Sequence, residues 1–231
     1  MAPRYHTLLM DADRTLFDFE RSEAQALERT LQDFSLPFSQ EILRAYIQIN
    51  EALWRKLELG EISRSRLQSA RFEGLLQAIG APGEPGQLNE RYVEHLGEGN
   101  FLLPGAAQVC RRLSKACRLV LVTNGLHKAQ TRRFATSAIK PYFSGLFISE
   151  DLGCDKPDPA FFDAVLAALG NPPRRQLLVV GDSLSSDIQG AANAGLDACW
   201  LNPKGAARPQ GLPIAYEIRA LEELVPIVLG K

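Results

Sequence analysis

Apolar residues follow two different rhythms along this chain, and the points where the rhythm changes divide it. His6 to Met10 is a short run of strand length, with Leu8, Leu9 and Met10 in succession, and Asp11 follows at once. From residue 19 to residue 99 apolar positions recur every three or four residues instead: Leu27, Leu31 and Phe34, then Ile42, Tyr46, Ile49, Leu53 and Leu57, then Leu67, Phe72, Leu75, Leu76 and Ile79. That is the spacing of helices with one buried face. Pro37 separates the first helix from the second, for which Ser39 is an N-cap, and Gly60 and Ser63 separate the second from the third. The stretch from Gly80 to Gly86, with Pro82 and Pro85, reads as a loop before a short helix around Leu88 to Leu96. Pro104 suits the first turn of a new helix. Beyond it strand-length runs at Arg118 to Thr123, Leu146 to Ser149, Gln176 to Asp182 and Leu196 to Leu201 alternate with helical patterns. The tail from Gly205 to Pro213 reads as a loop before one last helix or strand pair.

Strands alternating with helices imply a parallel, doubly wound sheet covered on both faces. The run at His6 to Met10 belongs with the later strands, so the expected fold class is α/β. Residues 1–18 and 100–231 form a Rossmann-like core, and residues 19–99 form an inserted, all-helical cap domain. No internal repeat or low-complexity tract interrupts this plan.

Composition narrows the classes of partner. A chain of 231 residues that is 45% hydrophobic can bury a sizeable core. Lys and Arg number 26 against 27 Asp and Glu, a net charge of -1, so no global field favours a nucleic-acid polymer or a membrane surface. Cys110, Cys117, Cys154 and Cys199 show neither the spacing of a zinc site nor a disulfide framework, which fits a reducing cytoplasm. The amino end lacks a signal-peptide pattern, and no run approaches the ~18 apolar residues of a membrane span. The expectation is a soluble cytoplasmic protein, monomer or homodimer.

The chemistry gathers at the strand ends. Asp11 and Asp13 stand two residues apart at the end of a buried strand, where their mutual repulsion calls for a divalent cation or a shared proton; the alternative is an ordinary Asp-rich turn. Thr123-Asn124-Gly125 follows the second strand and offers a hydroxyl, an amide and backbone N–H groups to a phosphate, or else an N-cap and turn. Asp182 ends a later strand and can reach the same cation as Asp11. Asp187, a turn further on, can hold that cation through water or position Lys156; either aspartate can instead cap the following helix. Lys156 lies in a loop stiffened by Pro157 and Pro159 and reads as a fixed ammonium beside the carboxylates, or else as a solvated loop lysine.

Taken in order, Asp11-Ala12-Asp13-Arg14-Thr15, Thr123-Asn124, Lys156-Pro157 and Gly181-Asp182 with Asp187 resemble the four motifs of the haloacid dehalogenase superfamily of phosphohydrolases. Within it the chain is most similar to bacterial pyrimidine 5'-nucleotidases. That similarity lies in Asp11-Ala12-Asp13, Leu53-Trp54, Gly60-Glu61-Ile62, Arg71-Phe72-Glu73, Leu103-Pro104-Gly105-Ala106 and Cys199-Trp200-Leu201-Asn202. Arg14 departs from the pattern, since such enzymes usually carry Gly or Glu there.

The resemblance implies Asp11 as nucleophile, Asp13 as general acid and base, and Thr123, the backbone around Asn124 and Lys156 as phosphate-binding groups. It implies Mg2+ held by Asp11, the main-chain carbonyl of Asp13 and Asp182, with Asp187 in support. The implied substrate is a small phosphate monoester, a nucleoside 5'-monophosphate, selected by a cap that closes over the site. Phe17, Trp54, Arg71 and Phe72 are candidates for contact with the base or sugar, against the alternative that Trp54 and Phe72 pack the cap. His6, His95 and His127 form no ligand cluster; of these only His127 is expected near the site. The competing readings are a sugar-phosphate or phosphoglycolate phosphatase, a phosphomutase, and a module that keeps the fold without turnover.

Overall fold

The structure, a computed structural model, describes residues 3–230. Six strands form one parallel sheet: β1 (Thr7–Asp11), β2 (Arg118–Thr123), β3 (Phe143–Ile148), β4 (Leu177–Gly181), β5 (Asp197–Leu201) and β6 (Tyr216–Ile218), in the spatial order β3-β2-β1-β4-β5-β6. The first strand in sequence is therefore central, and the chain winds outward from it in both directions. Such a reversal opens a crevice at the carboxyl ends of the strands on either side, here β2, β1 and β4.

The helices are α1 (Phe19–Asp33), α2 (Gln40–Glu58), α3 (Arg64–Ile79), α4 (Pro85–Leu96), α5 (Ala106–Leu113), α6 (His127–Thr136), the single turn α7 (Ser149–Leu152), α8 (Pro159–Ala168), α9 (Gln189–Asn193) and α10 (Leu224–Leu229). The chain divides into two compact units. One runs to Phe19 and resumes at Asn100, and the other is Glu20–Gly99.

In the sheet unit every inner strand is apolar on both faces because each face carries its own core. Leu8, Met10, Leu119, Leu121, Leu178 and Val180 pack with Val109, Cys110 and Leu113 of α5 and Leu224 and Val228 of α10. Leu9, Val120, Val122, Leu177 and Val179 face Phe161, Phe162 and Val165 of α8 on the other side. Each such side chain contributes about 1.5–3 kcal/mol on leaving water. This is why these strands read as unbroken apolar runs instead of alternating ones.

Three boundaries differ from the expectation by more than one residue. β3 begins at Phe143, before the expected Leu146, because Ser144 and Gly145 hide the start of an edge strand whose register shifts between Leu119 and Val120. Pro104 lies in the turn before α5 and not in the helix; Gly105, at φ 76, makes that turn, and α5 starts at Ala106. α4 starts at Pro85, inside the expected loop, since proline's fixed φ and missing donor suit a first helical turn.

In the helical unit Ser39 and Ser63 cap α2 and α3, accepting from the Ile42 and Arg66 N–H groups at 3.2 Å each. The unit's core is aromatic: Tyr46, Phe72 and Tyr92 lie with ring centroids 5.4–5.6 Å apart. The buried line of α2 is Leu43, Tyr46 and Asn50, while Ile42 and Ile49 are half-buried. Among the described residues no helix is long and apolar enough to cross a membrane.

Candidate active site

The carboxyl ends of β1, β2 and β4 bring four widely separated motifs together. Asp11 closes β1, and one ligand atom from each of Asp11, Asp182 and Asp187 lies within 4.8 Å of the others. Lys156 reaches in from the loop after α7: its Nζ donates to Asp11 Oδ1 at 2.8 Å, Asp187 Oδ1 at 2.6 Å and the Val122 carbonyl at 3.2 Å. The ammonium is 1% exposed, a position a lysine accepts only when its charge is met.

Local structure accounts for each placement. After β4 the chain makes a π-helical turn, Leu184–Ile188, begun by the Ser183 side chain accepting from the Ser186 N–H. This turn brings Asp187 back over the strand end, where its Oδ2 accepts from the Ser183 N–H at 3.1 Å. Gly181 makes the return possible, for a Cβ there would stand 2.2 Å from Asp187 Oδ2. Asp182 is held through its main chain, whose carbonyl accepts from Trp200 Nε1 at 2.9 Å, and the Thr15 hydroxyl donates to its Oδ1 at 3.4 Å. Asn124 binds both sides of the Lys156 peptide: its Nδ2 donates to Lys156 O at 2.7 Å and its Oδ1 accepts from Lys156 N at 2.9 Å. The Asn124 side chain is thus a strut for the lysine loop, and only the main chain around Asn124 stays a candidate for binding phosphate. Thr123 accepts from the Gly125 N–H at 3.1 Å, leaving its own hydroxyl hydrogen to donate.

Electrostatics set what this cluster can hold. Burial, then Asp187, push the Asp11 carboxyl well above the ordinary carboxylate range, against the pull of Lys156. Burial, then Asp11 and Asp187, do the same to Asp182. Burial by itself would lower the Lys156 ammonium, yet Asp11 and Asp187 outweigh it and hold the charge in place. Three converging carboxylates against one ammonium leave negative charge over. Hard oxygen donors so arranged fit a small divalent cation such as Mg2+.

The other expected residues divide. The Asp13 carboxylate takes hydrogen bonds from Gln130 Nε2 at 2.7 Å and Arg133 Nη2 at 2.6 Å. Neither α6 residue was expected from the sequence; their spacing of three, which puts them on one helix face, was the available signal. Phe17, Arg71 and Phe72 correct the expectation of leaving-group contact. Phe17 is fully buried in the sheet unit under the Arg133 guanidinium, Phe72 belongs to the aromatic core of the helical unit, and Arg71 is buried with its Nε and Nη2 both on Asn89 Oδ1. Trp54 is half-buried, with Arg64 5.9 Å from its ring. His127 is exposed and paired with Asp151 at 2.6 Å. Arg14 adopts φ 61, a conformation that favours glycine, and its guanidinium lies 5.1 Å from the Phe19 ring.

This fold and this constellation belong to a known class: the chain is a member of the haloacid dehalogenase-like hydrolase family, which it matches over residues 5–195. It is 37% identical to the HAD-hydrolase YfnB of Bacillus subtilis over 97% of this chain and 96% of that protein. A crystal structure of YfnB bound to magnesium superposes with a TM-score of 0.92, covering 97% of this chain and 98% of that one. The chain is also 35% identical to the pyrimidine 5'-nucleotidase YjjG of Escherichia coli, over 96% of each, and to the pyrimidine 5'-nucleotidase PynA of Streptococcus pneumoniae, over 96% of this chain and 94% of that one.

Proposed function

We propose that the protein hydrolyses phosphate monoesters through a phosphorylated Asp11, with Mg2+ as cofactor, and that its substrates are nucleoside 5'-monophosphates, pyrimidine before purine. The observation that carries this reading is the buried Asp11–Lys156–Asp187 chain beside Asp182 at the carboxyl edge of a parallel sheet. When bound by Asp11, Asp182, Asp187 and the Asp13 main-chain carbonyl, Mg2+ supplies the charge that lets an anionic phosphate approach an anionic nucleophile.

The steps use this chain's own groups. An Asp11 oxygen attacks phosphorus in line; the bond to the leaving oxygen breaks with its electron pair, and Asp13 gives that oxygen a proton. Water then attacks the same phosphorus and passes its proton to Asp13, the bond to Asp11 breaks, and inorganic phosphate leaves. Lys156 and Thr123, with the main chain that follows Thr123, bind the non-bridging oxygens.

Likeness to two pyrimidine 5'-nucleotidases along nearly the whole chain, helical segment included, supports a nucleotide leaving group. The test is a panel of UMP, dUMP, dTMP, AMP, a hexose phosphate, phosphoglycolate and p-nitrophenyl phosphate with Mg2+, read as inorganic phosphate released. Pyrimidine nucleotides are expected to give the highest kcat/KM. Equal values for UMP, AMP and the hexose phosphate would remove the nucleotide assignment and leave the phosphatase. An isomerised sugar phosphate without release would mark a mutase, and no turnover of any ester would remove the enzymatic reading.

A further inference from the structure

Asp13 is gripped on both oxygens by one face of α6. Gln130 holds Oδ2 and Arg133 holds Oδ1, and Arg133 Nη2 also donates to Gln130 Oε1 at 2.8 Å, so the two side chains brace each other. Beneath them lies Phe17. The Arg133 guanidinium stands 4.4 Å from the Phe17 ring, and Phe17 is bridged through its backbone to Asp13 on one side and Leu102 on the other. Gly125 admits the Gln130 amide, which would lie 2.1 Å from a Cβ at that position.

Packing does not explain the arginine. Its side chain is 2% exposed, and Nε and Nη1 are buried without a hydrogen-bond partner among the described residues. A buried charge with idle donors costs stability that a methionine of similar length would not. What the guanidinium does achieve is a charge-assisted bond that fixes the plane of one carboxylate.

We propose that Gln130 and Arg133 are positioning residues for Asp13, setting the orientation from which its carboxyl group exchanges a proton with the leaving oxygen. The inference rests on the phosphatase reading above and extends it to two residues that act through Asp13. Proton transfer demands approach to hydrogen-bond distance, so a carboxylate free to rotate loses rate and not substrate affinity.

A double-mutant cycle tests it. For UMP, or whichever alkyl ester the panel ranks first, Arg133→Met is expected to lower kcat/KM by about 10²-fold, with kcat bearing the loss and KM nearly constant. For p-nitrophenyl phosphate, whose leaving group hardly needs a proton, the loss in kcat/KM is expected to stay within a few-fold. Arg133→Lys should restore part of the alkyl-ester activity. In an Asp13→Asn background Arg133→Met should cost nothing further, because the group it orients is gone. Gln130→Leu should show the same leaving-group dependence at smaller size, and keeps the test open if Arg133→Met fails to fold. Equal losses on both esters, or losses that multiply in the double variant, would overturn the inference while the phosphatase reading stands. A wild-type protein that hydrolyses neither ester would overturn both.

Discussion

Lys156 shows how tightly single residues are coupled here, since its buried ammonium holds two buried carboxylates at once. Lys156→Met should therefore destabilise the metal-free protein by about 3–5 kcal/mol, the cost of breaking a buried ion pair from one side. Urea unfolding in EDTA at pH 8 measures it, and a change below about 1 kcal/mol would mean that the carboxylates find other relief. Asp11→Asn removes no apolar contact, keeps a side chain of the same shape and, unlike Lys156→Met, leaves the buried ammonium paired with Asp187. It should leave the melting temperature within a few degrees while turnover falls at least about 10³-fold, because an amide cannot accept the phosphoryl group. More than a few per cent of residual turnover would exclude Asp11 as the nucleophile. At this scale the sequence was partly legible. Asp11, Asp182 and Lys156 could be read because a carboxylate or an ammonium beside a buried strand end has few structural uses. Gln130 and Arg133 could not, because a glutamine and an arginine on a helix look like any solvated face until the strand they cover is known.

Elements set the site by delivering backbone to fixed places, and glycine marks two of those deliveries. Gly181→Ala should push Asp187 off the strand end, with overpacking expected to cost about 1–3 kcal/mol. The same substitution should weaken Mg2+ binding, measured by the Mg2+ concentration at half-maximal activity; unchanged stability and unchanged Mg2+ dependence together would show that the turn absorbs the methyl. In the helical unit, Trp54 on α2 is the specificity candidate that is not packed into a core. Trp54→Ala should lower kcat/KM for dUMP while sparing p-nitrophenyl phosphate, and parallel losses on both would assign the ring to folding. Helix ends were readable from Ser39, Ser63 and Gly60 because caps are local chemistry. The buried face of α2 came out beside the expected one, because periodicity gives the width of an apolar stripe and the neighbouring helices choose its centre.

The whole molecule couples protonation, metal and stability. Burial and mutual repulsion raise Asp11 to about 7 and Asp182 to about 8 in the folded, metal-free protein, above their unfolded values. The folded state thus holds protons that the unfolded state has released. Their contribution is complete below the ordinary carboxylate range and is lost as pH rises through the folded values. Thermal melts in EDTA should show stability falling from about pH 5 to pH 8, where unperturbed carboxylates, ionised in both the folded and the unfolded state, would give no slope. Under the proposed function Mg2+ would bind the deprotonated set, so its stabilisation should grow over the same interval, reaching about 2.7 kcal/mol at a hundred times Kd. A pH-independent Mg2+ shift would mean that the cation binds elsewhere.

The sequence by itself determined the α/β class, the helical insertion and the four motifs at strand ends. Each of these follows from local rules: apolar period, turn residues, and the rarity of charge beside a buried strand. Tertiary structure alone decided which carboxylates converge, that Asn124 braces the lysine loop, and that Arg71 and Phe72 serve a core. It also decided that the Asp13 carboxylate is held by Gln130 and Arg133 of α6. Those outcomes depend on the sheet order, which places α6 beside the β1 loop, and no period within a single element carries that information.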